Sequence, residues 1–368
     1  MTGLNRIAAG ALAALLAAAG GASAQSYQIA PATGTTTPLL STHVGGRVQT
    51  VDQDGGAAYR FQWPGVYFET RFHGPEVFFR TGPEDTRLRV SVDGEAVELT
   101  RPAPGLHRIS GLSGGDHLLR IDVLGEYQAG PVSFGGVQGE PALTGPAKAR
   151  DRQIEFIGDS HTVGYANLST ERGCPPERIW ETTATADGVP GLVAGRYQAD
   201  YQVNAISGRG VVRNYDGAPL DTVPDAYDYV LQNKQAPYAD PAWRPQVIVV
   251  ALGTNDFSTP VKSGEKWADQ AALTADYEAG YARFLQRLAS AHPRANIFVW
   301  GIAGSDTAAA ASRVVSRLTA EGSDRVRFVQ APPLGLNACD WHPDLADDRL
   351  VAAALEASID QTPAVWTR

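Results

Sequence analysis

The chain has 368 residues, a hydrophobic fraction of 43% and a formal charge of −9, from 31 Lys+Arg against 40 Asp+Glu. That hydrophobic fraction is ordinary for a folded protein and excludes a disordered chain. The acidic balance, with no stretch rich in lysine and arginine, excludes nucleic acid as a partner and favours a neutral substrate over a polyanion.

In chain order, Arg6 precedes a run of small apolar residues from Ile7 to Ala19, and Ala22-Ser23-Ala24 offers small residues for cleavage. Residues 1–24 are therefore read as a signal peptide and the mature chain as secreted or periplasmic. The apolar run is shorter than the roughly 20 residues that span a bilayer, so no membrane anchor is expected. From about Gly45 to Gly139 the chain is a succession of short runs with β-branched and aromatic residues at period two, among them GVYFETRF, EVFFRT and TRLRVSVDG. Asp93-Gly94 is a strong hairpin signal, because both residues tolerate positive φ. This pattern predicts an all-β, jelly-roll-like sandwich over residues 25–140.

Gly145 and Pro146 mark residues 141–151 as a linker. Residues 152–368 then alternate between buried-strand and helical patterns. Strands are expected at Gln153–Gly158, Tyr201–Ser207, Gln246–Gly253, Ala295–Ile302 and Val326–Ala331. Helices are expected at Tyr277–His292, Thr307–Glu321 and Asp344–Ile359. That alternation implies a three-layer α/β domain with a parallel sheet, whose working site lies at the carboxyl ends of the strands.

The candidate chemistry sits at those ends. Gly158-Asp159-Ser160 breaks a strand and opens a helix, which exposes the Ser160 hydroxyl. A serine there is by itself as compatible with helix capping as with catalysis. Near the C-terminus, Asp340-Trp341-His342 supplies a carboxylate and an imidazole two residues apart. Serine, histidine and carboxylate are the minimum set for acyl transfer through a covalent intermediate. Ser160 is the candidate nucleophile, His342 the base and Asp340 the residue that orients it; His161 would leave in a different direction and is a poor base. Ile206-Ser207-Gly208-Arg209-Gly210 and Gly253-Thr254-Asn255-Asp256 end two further strands. Ser160 N–H, Gly208 N–H and Asn255 Nδ2 are the candidate oxyanion donors. Asp159 and Asp256 are read as turn organisers. The two cysteines, Cys174 and Cys339, are a candidate disulfide pair in an exported chain. The histidines lack metal-ligand spacing, and no phosphate-binding glycine motif follows a strand, so neither metal nor cofactor is expected.

Gly158-Asp159-Ser160, Gly208, Asn255 and Asp340-Trp341-His342 match, in order, the four blocks of the SGNH (GDSL-type) hydrolases. With a β-sandwich in front and a tryptophan between acid and base, the chain resembles carbohydrate esterase family 2. The resemblance implies a serine esterase that removes acetyl groups from xylan, other acetylated hemicellulose or oligosaccharides; separately, the chain is expected to be a monomer. It implies a Ser160, His342 and Asp340 triad, with Gly208 and Asn255 binding the oxyanion. Trp341 is either a core residue or a platform for a sugar ring. His161, in place of an aliphatic residue in many relatives, has no account beyond packing. Two rival readings are an esterase for other acyl groups (peptidoglycan O-acetyl, lipid ester or thioester) and a glycan-binding protein with an inactive hydrolase domain.

Overall fold

The computed structural model describes residues 27–53 and 56–367. The proposed signal peptide lies outside these residues. Among the described residues the N-terminal part is antiparallel throughout: ten strands form one continuous sheet, organised around the strand Tyr67–Thr81. The sequence patterns GVYFETRF and EVFFRT, read as two strands, are the two halves of this single 15-residue element. Gly74, at φ +98 in its middle, explains the join. A left-handed residue there shifts the pleat, so the buried side runs through Phe68 and Phe72 before it and Val77 and Phe79 after it. Those residues, with Phe61, Ile121 and Phe134, form the core of this part.

The last strand of that sheet ends at Pro141 and the first strand of the second domain starts at Gln153. The C-terminal part holds a five-stranded parallel sheet in the order Asp200–Ala205, Gln153–Gly158, Val247–Ala251, Asn296–Ile302, Val326–Ala331. The strands Val247–Ala251 and Asn296–Ile302 read as near-continuous apolar runs because helices cover both faces. Gln270–Ala291 and Asp306–Ala320 pack on one face, Val189–Tyr197 and Leu345–Asp360 on the other. The helix Val189–Tyr197 escapes periodicity analysis, since Pro190, Gly191 and Gly195 blur its apolar stripe.

Chain order reverses beside Gln153–Gly158, whose neighbours are the second and third strands of this domain. Such a switch point opens a crevice at the carboxyl ends of the strands. The domains are pinned together by polar groups placed by the strand alternation. Phe68 faces its own core, while Tyr67 turns the other way and donates to Asp200 Oδ1 at 2.7 Å. Arg47 reaches the buried Glu155 at 3.2 Å. A cavity of about 860 Å³ lies along this junction and is lined by Arg89, Arg120, Arg150 and Tyr201, away from Ser160. Those three arginines are each paired with carboxylates, and the cavity belongs to the domain contact.

Candidate active site

Ser160 follows the first parallel strand directly. Gly158 permits the turn, because a Cβ there would stand 2.0 Å from Thr162 Oγ1 and 2.9 Å from the Ala251 carbonyl. Asp159 caps the four-residue helix Ser160–Val163 by accepting from His161 N–H at 3.1 Å. The Ser160 hydroxyl, almost fully buried, lies 2.9 Å from His342 Nε2. His342 Nδ1 lies 2.9 Å from the Cys339 carbonyl oxygen. A carbonyl can only accept, so Nδ1 carries the proton and Nε2 presents its lone pair to the serine. This is the tautomer a general base needs.

The acid expected to fix that tautomer does not do so. Asp340 Oδ2 accepts from Tyr165 O–H at 3.0 Å, and the main chain of Cys339 takes the place assigned to the carboxylate. The cause is local: Asp340 and Trp341 both adopt left-handed conformations, at φ 54 and 57. Two such residues in succession turn the Cys339 carbonyl toward the imidazole and send the carboxylate outward, where Asp340 is exposed. The loop is tied down by Asp340 N–H to Arg172 O at 2.8 Å and by Arg172 to the carbonyls of Gly335 and Leu336. Cys174 and Cys339 are joined as a disulfide, with Cα atoms 5.5 Å apart. Tyr165, which sequence reasoning missed, lies against the His342 ring at 4.3 Å between centroids. A substitution Asp340→Asn should therefore cost less than about tenfold in kcat, against about 10⁴-fold for an acid that orients the base. Steady-state kinetics on an acetyl ester decides between them, and a loss near 10⁴-fold would restore the triad.

Burial holds the His342 imidazole below its ordinary range, opposed by the Cys339 carbonyl and the charge of Asp340. As a base it works only when neutral. A lowered value keeps it neutral further into acid, so the acid limb of kcat/KM should fall at an apparent pKa below about 6.5. An inflection above that value would contradict this electrostatic picture. His161 also finds its place. Its ring is buried, stands edge-on to His342 at 5.6 Å and stacks toward Trp300 at 6.4 Å. Burial and the neighbouring His342 push it down to about 3, so it is neutral packing behind the base.

The strand ends that follow are laced to the first. Ile206 N–H donates to Gly158 O at 3.1 Å, and Asn255 Nδ2 donates to Arg209 O at 2.9 Å and Asp159 Oδ2 at 3.2 Å. Both protons of the Asn255 amide are thus engaged, and an oxyanion would have to share the longer bond, the one to Asp159. Burial raises Asp159 to about 7. The N–H groups of Ser160 and Gly208 have no acceptor among the described residues. Gly208 sits at φ +80. Asp256, read as a local turn former, instead accepts from the N–H groups of Val211, Val212 and Arg213 and so shapes the loop after Gly208; burial pushes it up to about 6. Trp341 is 63% exposed and is no core residue. Tyr215, also missed, is 60% exposed and donates its N–H to Gly208 O at 2.8 Å, which gives the site a second aromatic rim. Among the described residues no cluster of His, Cys, Asp and Glu could hold a metal, and no helix is long and apolar enough to cross a membrane.

The chain as a whole has known relatives. A family model described as carbohydrate esterase 2 N-terminal matches residues 44–146, and one described as GDSL-like lipase/acylhydrolase family matches residues 156–357. An acetylxylan esterase / glucomannan deacetylase of Cellvibrio japonicus (strain Ueda107) is 37% identical over 336 residues, covering 90% of this chain and 93% of that protein. A solved carbohydrate esterase, described as having an active site with divergent catalytic and non-catalytic binding functions, superposes with a TM-score of 0.83. It is 35% identical, with 89% of this chain and 100% of that one covered. A family two carbohydrate esterase from Clostridium thermocellum in complex with cellohexaose gives a TM-score of 0.75 at 27% identity, covering 87% and 98% of the two chains.

Proposed function

We propose, because the chain belongs to carbohydrate esterase family 2 and its catalytic domain to the GDSL-like lipase/acylhydrolase family, that it removes O-acetyl groups from acetylated xylan or a related hemicellulose through an acetyl-enzyme on Ser160. The observation that carries the reading is the Ser160 Oγ to His342 Nε2 contact at 2.9 Å, with Nδ1 committed to a carbonyl. Ser160 Oγ attacks the acetyl carbonyl carbon while His342 Nε2 takes its proton. The resulting imidazolium is held by the Cys339 carbonyl, and the oxyanion by the N–H groups of Ser160 and Gly208 with help from Asn255 Nδ2. The proton then passes to the departing sugar oxygen. Water, activated by the same nitrogen, releases acetate and restores the serine hydroxyl.

Trp341 and Tyr215 support a carbohydrate substrate, since exposed aromatic faces suit the C–H faces of a sugar ring. The relatives named as acetylxylan esterase and glucomannan deacetylase support acetyl as the acyl group. The disulfide supports a site of action outside the cytoplasm, in keeping with the leader-like residues 1–24.

The test is acetate release from acetylated xylan and acetylated glucomannan, beside hydrolysis of 4-nitrophenyl acetate and butyrate. Release from a polysaccharide, with a steep fall from acetyl to butyryl, is the expected result. Equal or faster turnover of the butyrate with no acetate from either polysaccharide would move the assignment to another ester class.

A further inference from the structure

Glu126 and Gln128 stand on the loop between the strands Asp116–Leu124 and Val132–Pro141 of the N-terminal domain, yet both reach Ser207 in the catalytic domain. Gln128 Nε2 donates to the Ser207 carbonyl at 3.0 Å and to Glu126 Oε1 at 3.1 Å. The same Glu126 oxygen accepts from Ser207 N–H at 2.8 Å. Both main-chain groups of Ser207 are thus held by side chains from another domain. The loop that presents them is itself fixed, with Gln62 Nε2 donating to Gln128 O at 3.3 Å. Glu126 lies close enough to the nucleophile turn for its charge to be felt at Asp159 and Tyr165.

The residue held is the one before Gly208. A trans peptide is planar, so the Ser207 carbonyl and the Gly208 N–H form one rigid unit and point in opposite directions. Ile206 to Arg209 is a β-turn, closed by Arg209 N–H to Ile206 O at 3.2 Å. Gly208, at its third position with φ +80, has the left-handed conformation of type II. Types I and II differ in the direction of this central peptide, and both are accessible to a Ser-Gly pair. Rotation to type I would reverse the Gly208 N–H and aim the Ser207 carbonyl, an acceptor, where the donor had been. A donor on the carbonyl opposes that rotation, and Gln128 supplies it.

We propose that Gln128, braced by Glu126, is a positioning residue that locks the Ser207–Gly208 peptide in its oxyanion-binding orientation, so that the N-terminal domain takes part in catalysis. The inference rests on the esterase reading and on Gly208 N–H as an oxyanion donor. In the full-length enzyme, Gln128→Met removes the donor while keeping an unbranched side chain of similar length at an exposed position. It should lower kcat on 4-nitrophenyl acetate by about 10- to 100-fold, the range that one oxyanion donor commands or somewhat less. KM should stay within about twofold, because ground-state binding does not need the donor. Affinity for a small alkylboronic acid, which forms a tetrahedral adduct on a serine hydroxyl, should fall in parallel with kcat/KM. Glu126→Gln keeps an accepting oxygen and should stay near wild type, whereas Glu126→Ala should behave like Gln128→Met. Wild-type kcat in Gln128→Met, or a loss confined to KM with boronate affinity unchanged, would overturn the proposal. Its failure is separable from failure of the esterase reading: in the first case the wild type is active and Ser160→Ala is dead, and in the second the wild type itself hydrolyses no ester.

Discussion

Ser160→Ala is expected to lower kcat for acetyl esters by roughly 10⁴- to 10⁶-fold, the range found when a serine nucleophile is removed. The magnitude follows from losing the covalent route altogether: His342 Nε2, 2.9 Å from the hydroxyl, is left with no proton to take. What survives is catalysis by the oxyanion donors and by substrate positioning. The fold should be indifferent, because one buried hydroxyl is lost and the imidazole remains held through Nδ1 by the Cys339 carbonyl. His342→Ala should fall to a similar floor, and the double variant Ser160→Ala/His342→Ala should fall no further, since the two groups act as a unit. Rates of each variant on 4-nitrophenyl acetate, with unfolding midpoints measured alongside, test this. A Ser160→Ala enzyme that retains a tenth of the wild-type rate would remove serine from the mechanism. Multiplicative losses in the double variant would show that the two groups act separately.

Arg47→Ala is expected to give the largest loss of stability, about 3–5 kcal/mol. The Arg47 guanidinium is 2% exposed and the Glu155 carboxylate 0%, and they meet at 3.2 Å. Arg47 also donates to the carbonyls of Tyr227 and Tyr229 and lies over the rings of Tyr227 and Tyr238 at 4.5 and 4.2 Å. Its removal leaves Glu155 buried among the Asn204 Nδ2, Tyr227 O–H and Trp243 Nε1 donors, with His292 Nε2 farther off at 3.9 Å. Those hydrogen bonds do not neutralise a charge and His292 stands beyond hydrogen-bond distance, so the penalty approaches that of an unpaired buried ion. Because Arg47 belongs to the N-terminal domain and Glu155 to the strand that leads to Ser160, the loss should appear in one cooperative transition. Denaturant unfolding followed by tryptophan fluorescence measures it as a fall in midpoint at unchanged slope. A change below 1 kcal/mol would mean that water reaches Glu155. Arg47→Met/Glu155→Leu, which removes both charges, should recover much of the loss.

The strand ends that bear Ser160, Gly208 and Asn255 were legible because each is a local event: an apolar run that stops at a glycine or a polar turn. The parallel sheet followed from the same runs, with bounds within a residue or two at Gln153–Gly158, Asn296–Ile302 and Val326–Ala331. Asp340 shows the limit. An Asp-x-His spacing guarantees proximity, but which oxygen meets Nδ1 depends on the φ of Asp340 and Trp341, and nothing in the residue types announces two left-handed conformations in a row. Tyr215 was hidden for another reason, since only folding of the loop after Gly208 brings it back to the turn. Glu126 and Gln128 leave no local trace at all. They lie about 80 positions before Ser207, on a different domain, and sequence periodicity reports on faces of elements, not on which loop tip meets which.

The main-chain carbonyl of Cys339 has a consequence for how this enzyme can lose activity. An orienting side chain is stored in one codon and can be deleted by one mutation; a carbonyl is present whatever residue occupies position 339. The aim of that carbonyl is instead distributed over the Cys174–Cys339 bridge, the Arg172 clasp and two unusual backbone conformations. Point substitutions at any one of these should erode turnover gradually. A reducing buffer opens only the bridge, whereas a nick in the loop releases the whole assembly and is the greater hazard in handling the protein. For the same reason an engineer seeking to tune the base would do better to reshape the loop than to redesign the acid.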